Sequence, residues 1–372
     1  MPMPLKCLKS KEHIYSFNLG EDEWDLLRLE NKKTDCLATE CCGSKVVLKT
    51  SKLGTRFFAH ARKGICKTAP ESAEHILAKI EIVEGIRRTS WVATAEHKDS
   101  EGGNWQADVL ATKNKSRIAF EVQWSRQTLA ETNKRHIRYK ASGVRDVWLF
   151  KQYDFRSDKD LPAFQIRYDE QQNSFDVYIP SPLNRFSLHK DKYSLFPPIP
   201  IRDFVEGCLT GKLKFAPAIG SIIPLNVLMA ERLCKRCKRN TNIVTELTFC
   251  ISEVFQGCFD LNASIHTRGI EKWLPEWLPD KLLKSKRVGK LKFRKSFMEV
   301  ENHATYFSNG CFHCDGIQPR YYENGLYHEE QQLAKVDILF TEEMAAMFSE
   351  VFTAYWWFDT SHLISNHQQS DI

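Results

Sequence analysis

The chain has 372 residues and a mass of 43.2 kDa, which is long for one compact domain and predicts two or three. Hydrophobic residues make up 42% of it, and no apolar run reaches the roughly 18 residues that a membrane-spanning helix needs. The start carries no apolar stretch of signal-peptide length. We therefore expect a soluble cytoplasmic protein with no membrane partner, whose 12 cysteines are metal ligands or core thiols rather than disulfides.

Basic residues are concentrated in two segments, although the net charge of the chain is only +6. Between Thr112 and Lys151, ten Lys or Arg residues stand against three acids, and residues 281–295 hold eight Lys or Arg residues and no acid. Phosphate backbones attract such clusters, so the second run supplies candidate nucleic-acid contacts at Lys286, Arg287 and Lys290. The alternative is that both runs are simply solvated faces.

Residues 1–68 are predicted to form a small β-rich module that carries metal-binding side chains. Thiol and imidazole ligands are the usual donors of a structural zinc site. The candidates here are Cys41, Cys42, His60 and Cys66, with Cys36 as a further thiol. Their spacing is irregular and one neighbouring thiol is spare, so core thiols with a hydrogen-bonded histidine are the alternative.

Residues 69–152 have the clearest periodicity. The expected elements are a helix over 70–88, strands over 91–96, 105–110 and 117–124, a helix over 127–142 and a strand over 146–150. The predicted order is therefore α-β-β-β-α-β.

Two acids, Asp108 and Glu121, stand inside otherwise apolar strands of this region. The strand period of two places Glu121 and Gln123 on one face. If the neighbouring strand aligns Asp108 with them, two carboxylates and an amide converge, as Mg²⁺ or Mn²⁺ requires. The alternative is a solvated sheet face, but an unpaired carboxylate in an apolar run is costly to desolvate.

These residues resemble the competence protein CoiA-like family, and the element order resembles the PD-(D/E)xK nuclease superfamily. The similarity covers about residues 36–150, with a weaker echo near 203–215. The motifs that carry it are Cys41-Cys42-Gly43, residues 54–60, Cys66, residues 71–79, 107–110 and 121–125, and Arg135, Tyr139 and Gly143. The resemblance implies an α/β fold with a nuclease-like core.

The resemblance also implies metal-dependent hydrolysis of phosphodiester bonds in DNA, with Asp108 and Glu121 holding Mg²⁺. The carbonyl of Val122 would complete the shell, and Gln123 stands where the superfamily commonly has a lysine. Glutamine can orient a water but cannot neutralise charge.

The first helix of this core carries further candidates. Glu71, His75 and Lys79 are four residues apart and are expected on one stripe. In related nucleases a glutamate from this helix often joins the metal, and Glu71 is preferred to Glu74 because it shares that stripe. His75 and Lys79 would then contact phosphate or water, and an exposed salt-bridged edge is the alternative.

On the second helix, Arg135 and Tyr139 are expected to contact the phosphate backbone or to buttress the sheet.

The remaining chain is predicted as a connecting subdomain over 153–224, a zinc-ribbon-like domain over 225–320 and a helical tail over 321–372. Two CxxC motifs supply the ribbon's four zinc ligands, at Cys234, Cys237, Cys311 and Cys314. The 73 residues between the motifs require an insertion that bears the basic run. Separate redox pairs are the alternative.

The sequence thus predicts a Mg²⁺-dependent endo- or exodeoxyribonuclease with zinc modules. Its partners would be single- or double-stranded DNA and proteins of competence, recombination or defence. Two alternatives stay open: a catalytically inactive DNA-binding protein with the nuclease fold, and a zinc-ribbon adaptor that binds RNA or protein.

Overall fold

A computed structural model describes most of the chain as two compact units, Met1–Leu213 and Lys214–Ile372. The sequence predicts five segments instead. None of the helices in the described residues is long and apolar enough to cross a membrane. The described residues are 3–62, 71–99, 102, 104–152, 155–179, 198–255, 258, 260–295, 305–319, 329–347 and 354–359.

The first unit begins with a small N-terminal module of five strands and one helix. Its elements are β1 (Lys6–Lys9), β2 (Glu12–Tyr15), a 3-10 turn (Ser16–Asn18), α1 (Glu21–Thr34), β3 (Leu37–Ala38), β4 (Val46–Thr50) and β5 (Arg56–His60). Strands β2, β1 and β3 form one sheet, and β4 and β5 form a hairpin. Trp24 of α1 packs on Phe58 of β5 with ring centroids 5.3 Å apart, so the helix closes the module's core.

The next elements confirm the predicted order α-β-β-β-α-β. They are α2 (Ala73–Arg87), β6 (Val92–Lys98), β7 (Gln106–Lys113), β8 (Ser116–Gln123), α3 (Leu129–Ala141) and β9 (Arg145–Phe150). Helix α2 begins after Ser72, whose hydroxyl accepts the His75 N–H at 3.2 Å. Thr128 and Glu131 form a capping box at the start of α3. Local capping therefore sets where both helices begin.

The segment after β9 continues the same sheet, so the prediction of a separate connecting subdomain over 153–224 is wrong. It supplies β10 (Ala163–Asp169), β11 (Ser174–Tyr178), β12 (Ile199–Pro200) and α4 (Ile201–Thr210). The seven strands lie in the order β12-β11-β10-β9-β8-β7-β6, with β8, β9 and β10 parallel. The first four residues of β10 are buried, and Phe164 packs on Phe204 of α4 with ring centroids 4.9 Å apart.

Apolar side chains on both faces hold this sheet between the helices. Trp148 and Tyr139 are fully buried on the α3 side, and Ile76 and Ile82 of α2 are fully buried. Burying each such side chain contributes about 1.5–3 kcal/mol relative to leaving it exposed. The polar residues on β7 and β8 are therefore carried by a rigid frame.

The second unit is built around a four-stranded antiparallel sheet in the order β16-β15-β14-β19. Its elements are β13 (Leu213–Ala216), β14 (Ile222–Leu233), β15 (Asn240–Phe249), α5 (Ile251–Val254), β16 (Leu261–Ala263), a 3-10 turn (Ile270–Lys272), α6 (Leu274–Trp277), α7 (Asp280–Ser285), β17 (Lys292–Lys295), β18 (Thr305–Ser308), β19 (Gln331–Leu339), α8 (Glu342–Met347) and β20 (Tyr355–Phe358). The first CxxC motif lies in the turn that joins β14 and β15.

The predicted helical tail over 321–372 is corrected in part. Strand β19 precedes α8, and the aromatic run of β20 pairs with β13 rather than continuing a helix. Aromatic residues favour the pleated surface of a sheet, and Trp357 and Phe358 are buried there. Phe348, Val351 and Phe352, which belong to the predicted helix, lie outside the described residues.

Candidate functional site

Asp108 lies where strands β7 and β8 part. The backbone pairing of the two strands ends at Val109 and Phe120. Beyond it, Oδ2 of Asp108 accepts the Val122 N–H at 2.9 Å. The carboxylate thus takes the place of a backbone acceptor, which fixes its position at the opening between the strands.

Glu71 and His75 converge on Asp108 from the start of α2. His75 Nε2 lies 3.5 Å from Asp108 Oδ2, and His75 Nδ1 lies 3.5 Å from Glu71 Oε1. One ligand atom from each residue lies within 4.8 Å of the other two. Glu71 precedes the helix cap Ser72, so it is not on the helical stripe that the sequence predicts, yet its carboxylate reaches the same place. These three side chains can hold a metal ion.

Lys79 lies beside this cluster and is only 1% exposed. Its Nζ lies 2.7 Å from Glu71 Oε1 and 2.9 Å from Glu96 Oε1. Three carboxylates, those of Glu71, Glu96 and Asp108, therefore surround one lysine, so the site favours a further cation. Because Lys79 is buried and paired, the prediction that it contacts a DNA phosphate directly is corrected to a role in balancing these charges.

Glu96 is a site residue that sequence reasoning missed. Its backbone is left-handed (φ 52°), and its carboxylate also accepts the Leu5 N–H at 3.0 Å. The sequence contains a pattern that could have indicated Glu96, because it is a lone acid that follows the run Val-Ala-Thr-Ala of a predicted strand. Glu96 thereby joins the N-terminal module to the nuclease-like core.

The module and the core share one cavity of about 220 Å³. Lys6, Cys41 and His60 line it from the module, and Glu71, Lys79 and Asp108 line it from the core. The N-terminal module is therefore a wall of the candidate site.

The carboxyl of Asp108 is held in its ionised form. Its burial opposes ionisation, but the hydrogen bond with His75 and the charges of His75 and Lys79 outweigh burial and lower its pKa. An ionised carboxylate is the form that binds a metal ion.

Glu121 is buried beside α3 and is bound on both oxygens. Arg135 donates to Oε2, and the Tyr139 hydroxyl donates to Oε1 and contacts the Gln106 carbonyl at 2.9 Å. Glu121 is not in the cluster of Glu71, His75 and Asp108, so its predicted metal role stays a prediction. Burial and the charge of Asp108 raise the pKa of Glu121 to about 8, against the opposing effects of Arg135 and Tyr139.

This raised pKa predicts a pH-dependent stability. The folded chain keeps the Glu121 proton between its ordinary pKa of 4.5 and about 8, where the unfolded chain has lost it. Raising the pH from about 5.5 to 8 should therefore lower the free energy of unfolding, and Glu121→Gln should remove that part of the decline. Urea unfolding of both proteins without divalent cations measures it. An equal decline in the two proteins would contradict the assignment.

The solvent exposure and the hydrogen bonds of Tyr139, Arg135 and Gln123 decide which of them could contact a substrate. Tyr139 is fully buried and so buttresses the sheet, which corrects its assignment as a DNA contact. Arg135 is partly exposed and lies over the Trp148 ring at 5.0 Å. The Gln123 side-chain amide donates to the Ser125 carbonyl at 2.8 Å. Arg135 therefore remains a candidate contact, while Gln123 is turned toward the following loop.

The four cysteines of the two CxxC motifs converge in the second unit. Sγ of Cys234 lies 3.7 Å from Sγ of Cys314, and Sγ of Cys237 lies 3.7 Å from Sγ of Cys311. Four sulfurs arranged tetrahedrally about 2.3 Å from a zinc ion would be about 3.8 Å apart. The four thiols are therefore spaced to hold one metal ion.

Both motifs fold into the same turn. Lys238 N–H bonds to the Cys234 carbonyl at 2.8 Å, and Asp315 N–H bonds to the Cys311 carbonyl at 2.9 Å. Lys238 and Asp315, which follow the second cysteine of each motif, are both left-handed, with φ of 58° and 54°. Two matching turns that point their thiols at one centre are typical of metal-binding knuckles. We call residues 234–238 the first knuckle and residues 311–315 the second knuckle.

A second cluster of thiols lies in the N-terminal module. His60 Nε2 lies 3.4 Å from Sγ of Cys41 and 3.3 Å from Sγ of Cys42, and the two sulfurs are 3.8 Å apart. Hydrogen bonds with Ser44 and Thr39 lower the pKa of the Cys42 thiol to about 5, which favours the thiolate that metals bind.

The other two N-terminal cysteines stand differently. Cys36 contacts Asn31 and is not in this cluster. Cys66, the fourth predicted ligand, lies outside the described residues.

Comparison with known families supports the core assignment. Residues 71–192 match the family model described as competence protein CoiA, nuclease-like domain. Comparison with curated proteins and with solved structures gave no match. The matched segment contains Glu71, His75, Asp108 and Glu121 and begins at Glu71, the first residue of the cluster around Asp108. About a third of the chain, residues 71–192, is thus similar to the nuclease-like domain of competence protein CoiA.

Proposed function

We propose that the chain is a metal-dependent nuclease that hydrolyses phosphodiester bonds in DNA, with a PD-(D/E)xK-like core. The observation that carries the proposal is the convergence of Glu71, His75 and Asp108 where two strands part. It lies inside a domain whose family is nuclease-like. Anionic ligands beside an apolar frame are costly without a cation, which supports a functional rather than a structural site.

The donor set distinguishes between cations. Glu71 and Asp108 offer oxygen, whereas His75 offers nitrogen, which suits Mn²⁺ better than Mg²⁺. A bound divalent cation would polarise the scissile phosphate and lower the pKa of a water molecule. We retain Glu121 as a further ligand candidate. To bind the metal, its oxygens would have to release their hydrogen bonds with Arg135 and Tyr139.

The chain's own residues prepare this site for a phosphate. Lys79 holds Glu71 in place and supplies the buried positive charge that Gln123 cannot supply. Arg135 is positioned by Glu121, and its side chain is 35% exposed, which would let it contact a backbone phosphate. Gln123 would orient a water only after releasing Ser125.

The metal clusters and the setting complete the proposal. The four-cysteine cluster would hold a structural Zn²⁺, and Cys41, Cys42 and His60 would hold a second one with Cys66. The substrate would be DNA handled in the cytoplasm during competence, recombination or defence, with partner proteins of those processes.

The test is cleavage of labelled single- and double-stranded DNA by the native chain with Mn²⁺, with Mg²⁺ and with neither. We expect cleavage only with a divalent cation, and faster with Mn²⁺ than with Mg²⁺ at equal concentration. His75→Asp replaces the nitrogen donor by oxygen and should shift this preference toward Mg²⁺. Cleavage that needs no divalent cation would refute the proposed mechanism.

An inactive DNA-binding protein is the second candidate. It is favoured by Gln123 in place of a lysine and by the engagement of both Glu121 oxygens with Arg135 and Tyr139. Binding of DNA without cleavage under any of these metal conditions would select it.

A further inference from the structure

The four-cysteine cluster of the second unit carries an unusually basic surface. Lys235, Arg236, Lys238 and Arg239 lie in and after the first knuckle, and all four are exposed. Residues 281–295 add eight Lys or Arg residues, seven of them exposed. The only acid of the described residues paired with this run is Asp315, which binds Lys292 and Arg294. Residues 281–295 therefore keep most of their positive charge for an external anion.

The two cationic segments are held together at the cluster. The His313 ring, between the cysteines of the second knuckle, lies 3.1 Å from the Asn240 carbonyl beside the first knuckle. Arg287 of the basic run lies 3.3 Å from His313 Nε2, and its backbone carbonyl accepts the Asn242 N–H at 3.0 Å. The basic run is thus fixed on the knuckles as part of one surface.

Aromatic side chains interrupt this charge. Phe312, in the second knuckle, is 39% exposed, and Phe293 of β17 is 54% exposed. A cavity of about 350 Å³ lies between α7 and the second knuckle, and Lys284, Lys290, Phe312 and His313 line it. This volume is within the range of small-ligand pockets, roughly 300–1,000 Å³.

We infer that this surface, defined as residues 235–239, 281–295 and 312–313, is a second nucleic-acid site that binds single-stranded DNA. Cations that track phosphates together with exposed rings on which bases stack are the combination that single strands require. A duplex hides its base faces, so it would use only the charges. The choice of DNA over RNA rests on the proposed function. The surface is made of residues of the second unit, whereas Asp108 belongs to the first.

The test is fluorescence anisotropy with the full chain carrying Asp108→Asn, so that the probes stay intact. The probes are a labelled 20-nucleotide DNA strand, the matching duplex and the matching RNA strand. Arg287→Glu with Lys290→Glu should weaken single-strand binding at least tenfold and lower the salt slope by roughly 1.4, because each lost phosphate contact removes about 0.7. Lys32→Glu with Lys33→Glu, on exposed positions of α1, changes the net charge equally and should leave binding unchanged.

Phe312→Ala separates stacking from charge. It should weaken binding of the single strand about tenfold and of the duplex much less. Ile222→Ala, another exposed apolar residue of the second unit, is the control. Equal losses for strand and duplex, equal losses in the α1 control, or tighter binding of RNA than DNA would each overturn the inference. DNA cleavage is measured separately with the chain that keeps Asp108. The proposed nuclease function can therefore be supported even if the anisotropy measurements overturn the single-strand site.

Discussion

Asp108→Asn is expected to reduce cation-dependent DNA cleavage by more than about 100-fold while the chain stays folded. Loss of an outer-shell partner of a metal site typically costs 10–100-fold, and Asp108 would be a direct ligand. Asparagine keeps the size and one oxygen, so the Val122 N–H retains an acceptor. The measurement is the initial cleavage rate at several Mn²⁺ concentrations, with the unfolding temperature of both proteins.

The controls for this variant separate chemistry from folding. Because the fold lowers the pKa of Asp108, its charge stabilises the folded chain at neutral pH, so the apo variant should stay folded with a somewhat lower free energy of unfolding than the native chain. Mn²⁺ should raise the unfolding temperature of the native chain and raise that of the variant much less. Asp22→Asn, on an exposed position of α1, should change none of these values. Native cleavage rates in Asp108→Asn would contradict the assigned site.

Periodicity and short motifs predicted the parts of the fold that depend on local chemistry. The helical spacing of apolar residues and the apolar runs around Asp108 and Glu121 predicted α2, α3, β7 and β8 close to their observed limits. The assignment of β10 to β12 failed for a physical reason. Whether a short apolar strand joins an existing sheet depends on contacts such as Phe164 with Phe204, which no local pattern contains.

The candidate site shows the same limit. Chemistry alone selected Asp108 and Glu121 as buried acids in apolar strands, and both are buried or partly buried acids in the structure. Their partners depend on which side chains approach from the helices. Arg135 and Tyr139 reach Glu121, while Glu71 and His75 reach Asp108, so two acids on neighbouring strands are placed in different surroundings. Only the tertiary arrangement decides that difference.

Cys314→Ser is expected to remove one zinc ion per chain and to destabilise the second unit severely. Structural zinc contributes apparent binding free energies of about 10–16 kcal/mol in small zinc domains, which exceeds the stability of many folded domains. The knuckles join the tip of the β14–β15 hairpin to the segment after β18, so their loss separates elements far apart in sequence. Zinc content by elemental analysis and protease susceptibility of the second unit measure the outcome.

Two further cysteine variants show whether the loss of zinc is specific to the four-cysteine cluster. Cys258→Ser alters a buried thiol of the same unit outside the cluster and should keep the native zinc content. Cys42→Ser should remove a different ion, the one assigned to the N-terminal module, and leave the second unit resistant to protease. The two ions should therefore be lost independently and add in the double variant. A zinc content unchanged by Cys314→Ser would contradict the assigned zinc site. The two knuckles would then be separate thiol pairs that bind no shared ion.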